Sequence, residues 1–215
     1  MKKTFSIGGV HPNDSKISAG CRIEMLPVPQ TVYISMAQHL GAPATPVVAA
    51  GDRVKTGQVI GEPAGFISAF VHSSVTGTVK SIGPRPDLAG NKVTHVEIAV
   101  EEDEWAEGID TSETVVREIP RDNAFILDRI KSNGVVGLGG ATFPTHVKLS
   151  PPPGKKAEIL IINGAECEPY LTSDYRIMIE KPEQIVIGAG IMKQVLGGPR
   201  TVIGIEDNKP EAIAS

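Results

Sequence analysis

Two short stretches hold residues whose types and spacing suit chemistry. Gly134 to Lys148 reads GVVGLGGATFPTHVK, and Asn163 to Pro169 reads NGAECEP. In the first, Gly134, Gly137, Gly139 and Gly140 fall within seven residues. Glycine permits φ > 0 and close approach of a ligand to the main chain. Successive N–H groups in such a loop converge on an anion, and Lys148 adds a mobile positive charge. Phe143, set between the glycines and Pro144, stands on a stiff turn where an aromatic ring can stack on a flat ligand. In the second stretch, Glu166 and Glu168 flank Cys167 just after EILII, Glu158 to Ile162. That apolar run reads as a buried strand, and open α/β sheets bind ligands just beyond the carboxyl ends of their strands. Asn163 and the two carboxylates suit hydrogen bonds to ribityl, ribose or amide groups. Together the stretches fit a phosphate-bearing, planar, electron-rich cofactor. Each also has a plain reading, as a ligand-free turn and a solvated acidic loop. Neither GxxxxGK[ST] nor GxGxxG is present, because GLGGAT ends in Thr142.

The elements that must position these loops follow from hydrophobic period and turn signals. Residues 1–30 read as an irregular arm. Residues 31–100 contain TVYIS, TPVVAAG, DRVKTGQVIG, SAFVHSS, GTVKSIG and HVEIAV, short β segments spaced as in a small barrel or sandwich. GDRVKTGQVIG followed by VTGTVKSIG resembles the barrel-sandwich hybrid of lipoyl and biotinyl carriers. No lysine lies between Lys55 and Lys80, so a swinging-arm carrier role is disfavoured. Residues 101–120 form an acidic linker holding the single tryptophan, Trp105. Residues 121–215 form an α/β domain. A helix capped by Asp122 or Asn123 runs through Ile130 to Asn133-Gly134. A second starts at Pro182 and stops at Gly197-Gly198. Thr201–Ile205 supplies a strand parallel to Glu158–Ile162, with a right-handed crossover. Glu206 then lies at the same sheet end as NGAECEP and borders the pocket. Asp207 or Asn208 suits a helix N-cap equally well.

SIGGVHPNDSK at Ser6–Lys16, GLGGATFPTHVKL and NGAECEPYLTSDYR together resemble one family. It is the C subunit of the Rnf ion-translocating NADH:ferredoxin oxidoreductase complex, related to the 51-kDa subunit of respiratory complex I. The resemblance spans essentially all 215 residues. It implies a two-part α+β or α/β chain: a small N-terminal β barrel-sandwich hybrid, then a partial α/β flavin-binding domain with parallel strands. It implies that Gly137, Gly139, Gly140, Lys148, Asn163 and Glu166 line an FMN site, and that Phe143 and Glu168 meet NADH. NADH would then be oxidised at FMN and electrons passed singly to iron–sulfur clusters, the catalytic chemistry resting on the cofactor rather than on a side chain. Partners would be the other subunits of a membrane electron-transport complex, with the chain peripheral on the cytoplasmic face of the bacterial membrane. The alternative is a non-catalytic docking fragment of that complex. Leu138, Ala165 and Cys167 depart from the complex I pattern, and Thr142 stands where glycine is usual. If that position needs φ > 0, threonine is costly there.

Such subunits look roughly twice this length and carry two four-cysteine motifs for [4Fe–4S] clusters. Here only Cys21 and Cys167 are present, which builds no cluster and no disulfide framework. The expectation is a chain cut inside the flavin domain, inactive in isolation, with both thiols buried and inert. The net charge of −4 and scattered basic residues argue against nucleic acid and against direct lipid binding. There is no 18-residue apolar run and no signal-peptide pattern. His11, His39, His72, His95 and His146 lack metal-ligand spacing, so no metal site is expected. His146, within the glycine motif, is assigned a turn hydrogen bond, with contact to a flavin edge or phosphate as the alternative. Asp174 and Arg176 read as forming surface ion pairs with each other's neighbours, or Arg176 as a phosphate contact.

Overall fold

A computed structural model describes residues 12–215. The Ser6–His11 part of the N-terminal motif, and His11 itself, lie outside the described residues. The chain divides into two compact units. One comprises Leu26–Ala157 with Ile191–Gly198, and the other Glu158–Gly190 and Pro199–Ser215 with the N-terminal segment up to Met25.

The first unit is built on the β segments read from the sequence. β1 (Thr31–Ser35), β2 (Thr45–Pro46), β3 (Arg53–Val54), β4 (Val59–Glu62), β5 (Val71–His72), β6 (Gly77–Pro86) and β7 (Lys92–Val100) make two antiparallel sheets. Their strand orders are β1-β7-β6-β3 and β2-β4-β5. Alternation along β7 turns Val96 and Ile98 inward, where they meet Ile34, Met36, Val54, Ile60 and Val79 in one core. Each such buried Val or Ile contributes about 1.5–3 kcal/mol relative to exposure. Gly77 is required sterically, since a methyl group there would collide with the Ala99 carbonyl oxygen. A bulge between Val79 and Ser81 bends β6.

Part of the acidic run, though largely exposed, is fastened to this barrel. Trp105 bridges Thr56, and Thr56 N–H donates to the Glu104 carbonyl at 3.0 Å. Glu104 also pairs with Arg53 at 2.7 Å and Lys55 at 2.6 Å. The cause is charge complementarity: the GDRVK turn presents its two cations to this acidic segment. Beyond it, Asp122 caps α1 (Asn123–Ser132), accepting from the N–H groups of Ala124 and Phe125. A four-residue helix, α2 (Thr145–Lys148), follows the glycine loop, where the sequence pattern predicts none.

In the second unit, β8 (Ile159–Asn163) and β9 (Arg200–Gly204) pair in parallel, Ile161 opposite Val202. Between them come α3 (Ser173–Glu180), also beyond the sequence expectation, and α4 (Pro182–Val195), whose residues up to Gly190 fall in this unit. α5 (Pro210–Ala214) follows β9. The reading of EILII as a buried strand is corrected here: Ile159 is 53% and Ile161 65% exposed. Among the described residues the sheet has two strands, too few to bury both faces. The N-cap assignment also changes. Lys209, rather than Asp207 or Asn208, stands at the N-cap position of α5 and makes no side-chain cap bond, and Pro210 opens the first turn.

Candidate functional site

The glycine loop belongs to the first unit and is held at both ends. Asn133 caps α1, and Gly134 follows at φ +63°. A methyl group on Gly134 would collide with the Phe70 carbonyl oxygen, so both backbone and barrel demand glycine. Val136 and Pro144 then form an antiparallel bridge. Gly137 N–H donates to the Phe143 carbonyl at 3.1 Å, and Thr145 N–H to the Val135 carbonyl at 3.0 Å. Phe143 is thereby fixed at the base of a small hairpin, and Pro144 beside it is fully buried. Leu138 at the tip is 84% exposed. Thr142 adopts φ +51°, the strained region that the sequence flags, and its carbonyl accepts from Leu40 N–H at 3.3 Å.

Several observations bear on whether an anionic cofactor fits this loop. The N–H groups of Leu138, Gly139, Gly140 and Ala141 donate to no backbone acceptor among the described residues. Lys148 Nζ lies 2.7 Å from where a Cβ on Gly137 would stand, so the ammonium occupies the space that glycine leaves. Among the described residues no carboxylate pairs with Lys148. Free consecutive amides beside an unpaired cation suit a phosphate. His146 does not make the expected turn bond. Its Nδ1 is buried without a hydrogen-bond partner among the described residues, and burial, aided by the charge of Lys131, holds its pKa below the usual value.

The acidic loop belongs to the second unit and leaves the carboxyl end of β8. Asn163 Oδ1 accepts from Ala165 N–H at 3.1 Å, turning the chain, and Gly164 N–H extends the ladder to the Gly204 carbonyl at 2.8 Å. Glu166 is 3% exposed. Its carboxylate accepts from Asp174 N–H at 2.7 Å, Tyr175 N–H at 3.4 Å and Ser173 Oγ at 3.3 Å. It therefore caps α3 from outside the helix, where a negative charge is favoured; Thr172, the residue before α3, makes no cap bond. Glu206, at the end of β9, accepts from Glu166 N–H at 3.4 Å and pairs with Lys209 at 2.7 Å. The Lys209 hydrogen bond depresses the Glu206 pKa against the opposing effect of burial. The structure thus brings Asn163, Glu166 and Glu206 to one sheet end, while Glu168 and Cys167 are exposed.

Both thiols, Cys21 and Cys167, are exposed, which corrects the expectation of buried ones. Arg176 pairs with a neighbour, Glu180, at 2.6 Å and donates to the Ala19 carbonyl at 3.0 Å, so it is engaged within its own unit. Asp174 has a raised pKa, through burial first and then the charge of Glu166. A cavity of about 220 Å³ lies in this unit, bordered by Lys16, Glu166, Tyr175, Asn208 and Lys209 among others. That is below the roughly 300 Å³ at which small-molecule sites begin. Lys16 ends the SIGGVHPNDSK motif without a role assigned from sequence, and no motif singles out Lys209. Lys16 donates to the carbonyls of Glu166, Glu168 and Leu171, a role that only the folded chain reveals across 150 positions.

Comparison with known proteins identifies two domain types along the chain. Residues 3–104 match the RnfC barrel sandwich hybrid domain, and residues 130–215 match the Nuo51 FMN-binding domain. The C subunit of the proton-translocating ferredoxin:NAD(+) oxidoreductase complex of Clostridium ljungdahlii is 48% identical, over 99% of this chain and 46% of the relative. The Na(+)-translocating counterpart of Acetobacterium woodii is 43% identical over 96% of this chain and 46% of the relative. The C subunit of the ion-translocating oxidoreductase complex of Rhodobacter capsulatus is 40% identical over 98% of this chain and 41% of the relative. The chain spans about half the length of the curated relatives it matches. With a barrel domain and an FMN-binding domain of these two types in this order, it belongs to the RnfC family, the C subunits of ion-translocating oxidoreductase complexes.

Proposed function

We propose that this chain supplies the FMN-binding part of an RnfC subunit in an ion-translocating electron-transport complex, where it exchanges electrons between NADH and FMN. The observation that carries the reading is the exposed glycine loop, with its free amides and with Lys148 seated over Gly137, inside the segment that matches the FMN-binding domain. Gly137, Gly139, Gly140 and Lys148 hold the phosphate. Asn163 and the main chain around Glu166 serve the ribityl and ring end, and Glu206 borders it. The Glu166 carboxylate supports this role indirectly by fixing α3 against its own loop, since its oxygens are already engaged. Phe143 and Glu168 serve NADH, one by stacking and the other by hydrogen bonding. When bound, FMN supplies the change from hydride transfer to single-electron steps; the protein supplies position, charge and exclusion of water.

The [4Fe–4S] clusters that receive the electrons belong to sequence other than these 215 residues, which hold two cysteines. The other subunits of the complex are the partners. A peripheral place on the inner face of the membrane fits the finding that no described helix is long and apolar enough to cross it. In this reading residues 1–30 are an arm, 31–100 the barrel domain, 101–120 the linker and 121–215 the flavin domain.

The test is titration of the chain with FMN and with riboflavin, followed by flavin fluorescence and visible absorption. The expected result is saturable 1:1 binding with FMN preferred, and loss of that preference in Lys148→Met. Equal affinity for both flavins in the unaltered chain would remove the glycine loop from the phosphate. No binding of either flavin would remove the flavin reading.

A further inference from the structure

Lys16 makes contacts unlike those of any other described lysine. Its ammonium donates to the carbonyl oxygens of Glu166 at 2.7 Å, Glu168 at 2.8 Å and Leu171 at 2.7 Å. An ammonium has three N–H donors, so all are spent on main-chain oxygens of one loop. The surrounding segment is strapped to the same region. Tyr170 N–H donates to the Asp14 carbonyl at 2.8 Å, and Ser18 Oγ meets Thr172 Oγ1 at 2.8 Å. Arg176 reaches the Ala19 carbonyl, and Ile23 N–H the Glu180 carboxylate at 3.1 Å. Tyr170 is held at φ +68°, a conformation a tyrosine keeps only when its neighbours impose it.

Three carbonyls converging on one point repel each other unless a cation sits among them. Without Lys16, the loop from Glu166 to Leu171 would turn those oxygens outward to water. The loop would then lose the shape that carries Glu168 and seats Glu166 on α3. A guanidinium does not substitute, because its donors lie in one plane and fan outward.

We propose that Lys16 is a positioning residue: its three-way clamp fixes the acidic loop in the form that receives the ring end of a flavin. This rests on the FMN reading above, although the clamp itself does not. The N-terminal segment is accordingly part of the cofactor-binding machinery, and not only a lead into the barrel.

The experiment compares the unaltered chain with Lys16→Met, Lys16→Gln and Lys16→Arg. Amide hydrogen exchange over residues 164–172 should quicken about tenfold or more in Lys16→Met, while β6 and β7 stay protected. FMN and riboflavin should both bind about tenfold more weakly, a loss of about 1.4 kcal/mol, with their affinity ratio unchanged. Lys148→Met should collapse that ratio instead, so the two lysines are told apart by a readout that general loosening does not reproduce. Lys16→Gln keeps up to two donors and should fall between, which retains the test if Lys16→Met fails to fold. Lys16→Arg should resemble Lys16→Met. Full recovery by arginine, unchanged exchange in the loop, or faster exchange with unaltered flavin affinity would each overturn the proposal. If the unaltered chain binds neither flavin, the FMN reading fails, and with it the flavin half of this proposal; loop exchange still decides the clamp.

Discussion

Gly137 matters here for the volume it leaves, not for an unusual backbone angle, because it is absent from the residues with positive φ. A Cβ at 137 would meet only Lys148 Nζ, at 2.7 Å, with the next contacts at 3.9 Å. Gly137→Ala should therefore leave stability within about 0.5 kcal/mol, because the far end of a lysine moves cheaply. It should nonetheless weaken FMN about tenfold by displacing the ammonium. A fold-neutral variant with unaltered FMN affinity would remove Lys148 from the phosphate. Thr142 is the opposite case. At φ +51° a β-branched residue costs roughly 1–2 kcal/mol relative to the right-handed region. Glycine there relieves the strain but gains freedom in the unfolded chain, so Thr142→Gly should stabilise by less than about 1 kcal/mol. Urea midpoints decide it; a lower midpoint would mean that the threonine contributes packing that outweighs its strain.

At the scale of elements, caps decide what is legible. The start of α1 is visible in sequence because its cap is local: Asp122 accepts from the amides of Ala124 and Phe125. Asp122→Ala should cost about 1 kcal/mol, read as a drop in melting temperature. α3 is invisible in sequence because its cap comes from Glu166, seven residues before Ser173 and outside the usual N-cap position. No pattern inside SDYRIMIE announces that partner. Glu166→Gln should consequently lower stability by about 1–2 kcal/mol even without flavin. An unaltered melting temperature with lost FMN would return the carboxylate to the flavin. The glycine loop is legible as a cluster of glycines, but its function as a seat for Lys148 depends on α2, four residues too short to show a period. The barrel strands are legible because each alternates over one shared core. β8 misleads for the converse reason: an apolar run reports a preference for burial, and the exposed Ile159 and Ile161 show that two strands cannot satisfy it.

At the scale of the whole molecule, charge and chain order set behaviour. His72 and His146 have pKa values lowered chiefly by burial. Between those values and the unfolded value of about 6.5, the unfolded chain binds protons that the folded chain does not. Stability should therefore decline as pH falls through about 6.5 and level off below the folded values. Denaturant titrations from about pH 7.5 to 5.5 check this, and His72→Gln should flatten the slope. A profile unchanged by that substitution would mean that His72 is not the sensor. Glu206 acts in a lower window. Its depressed pKa gives stability that is present above the ordinary carboxylate range and lost as pH drops through the lowered value. The lysine that holds the acidic loop also has a consequence in time. Lys16 and its first acceptor are 150 positions apart. At roughly 5–20 residues per second, a ribosome takes about 8–30 s to make the stretch between them. The barrel strands, all encoded inside that interval, can close while the segment around Lys16 waits without its acceptors. Ile17 and Met25 in that segment remain 84% and 95% exposed even in the finished fold. On the emerging chain its apolar side chains stay uncovered, and its ammonium stays unsatisfied until residue 171 arrives to accept the last of the three hydrogen bonds.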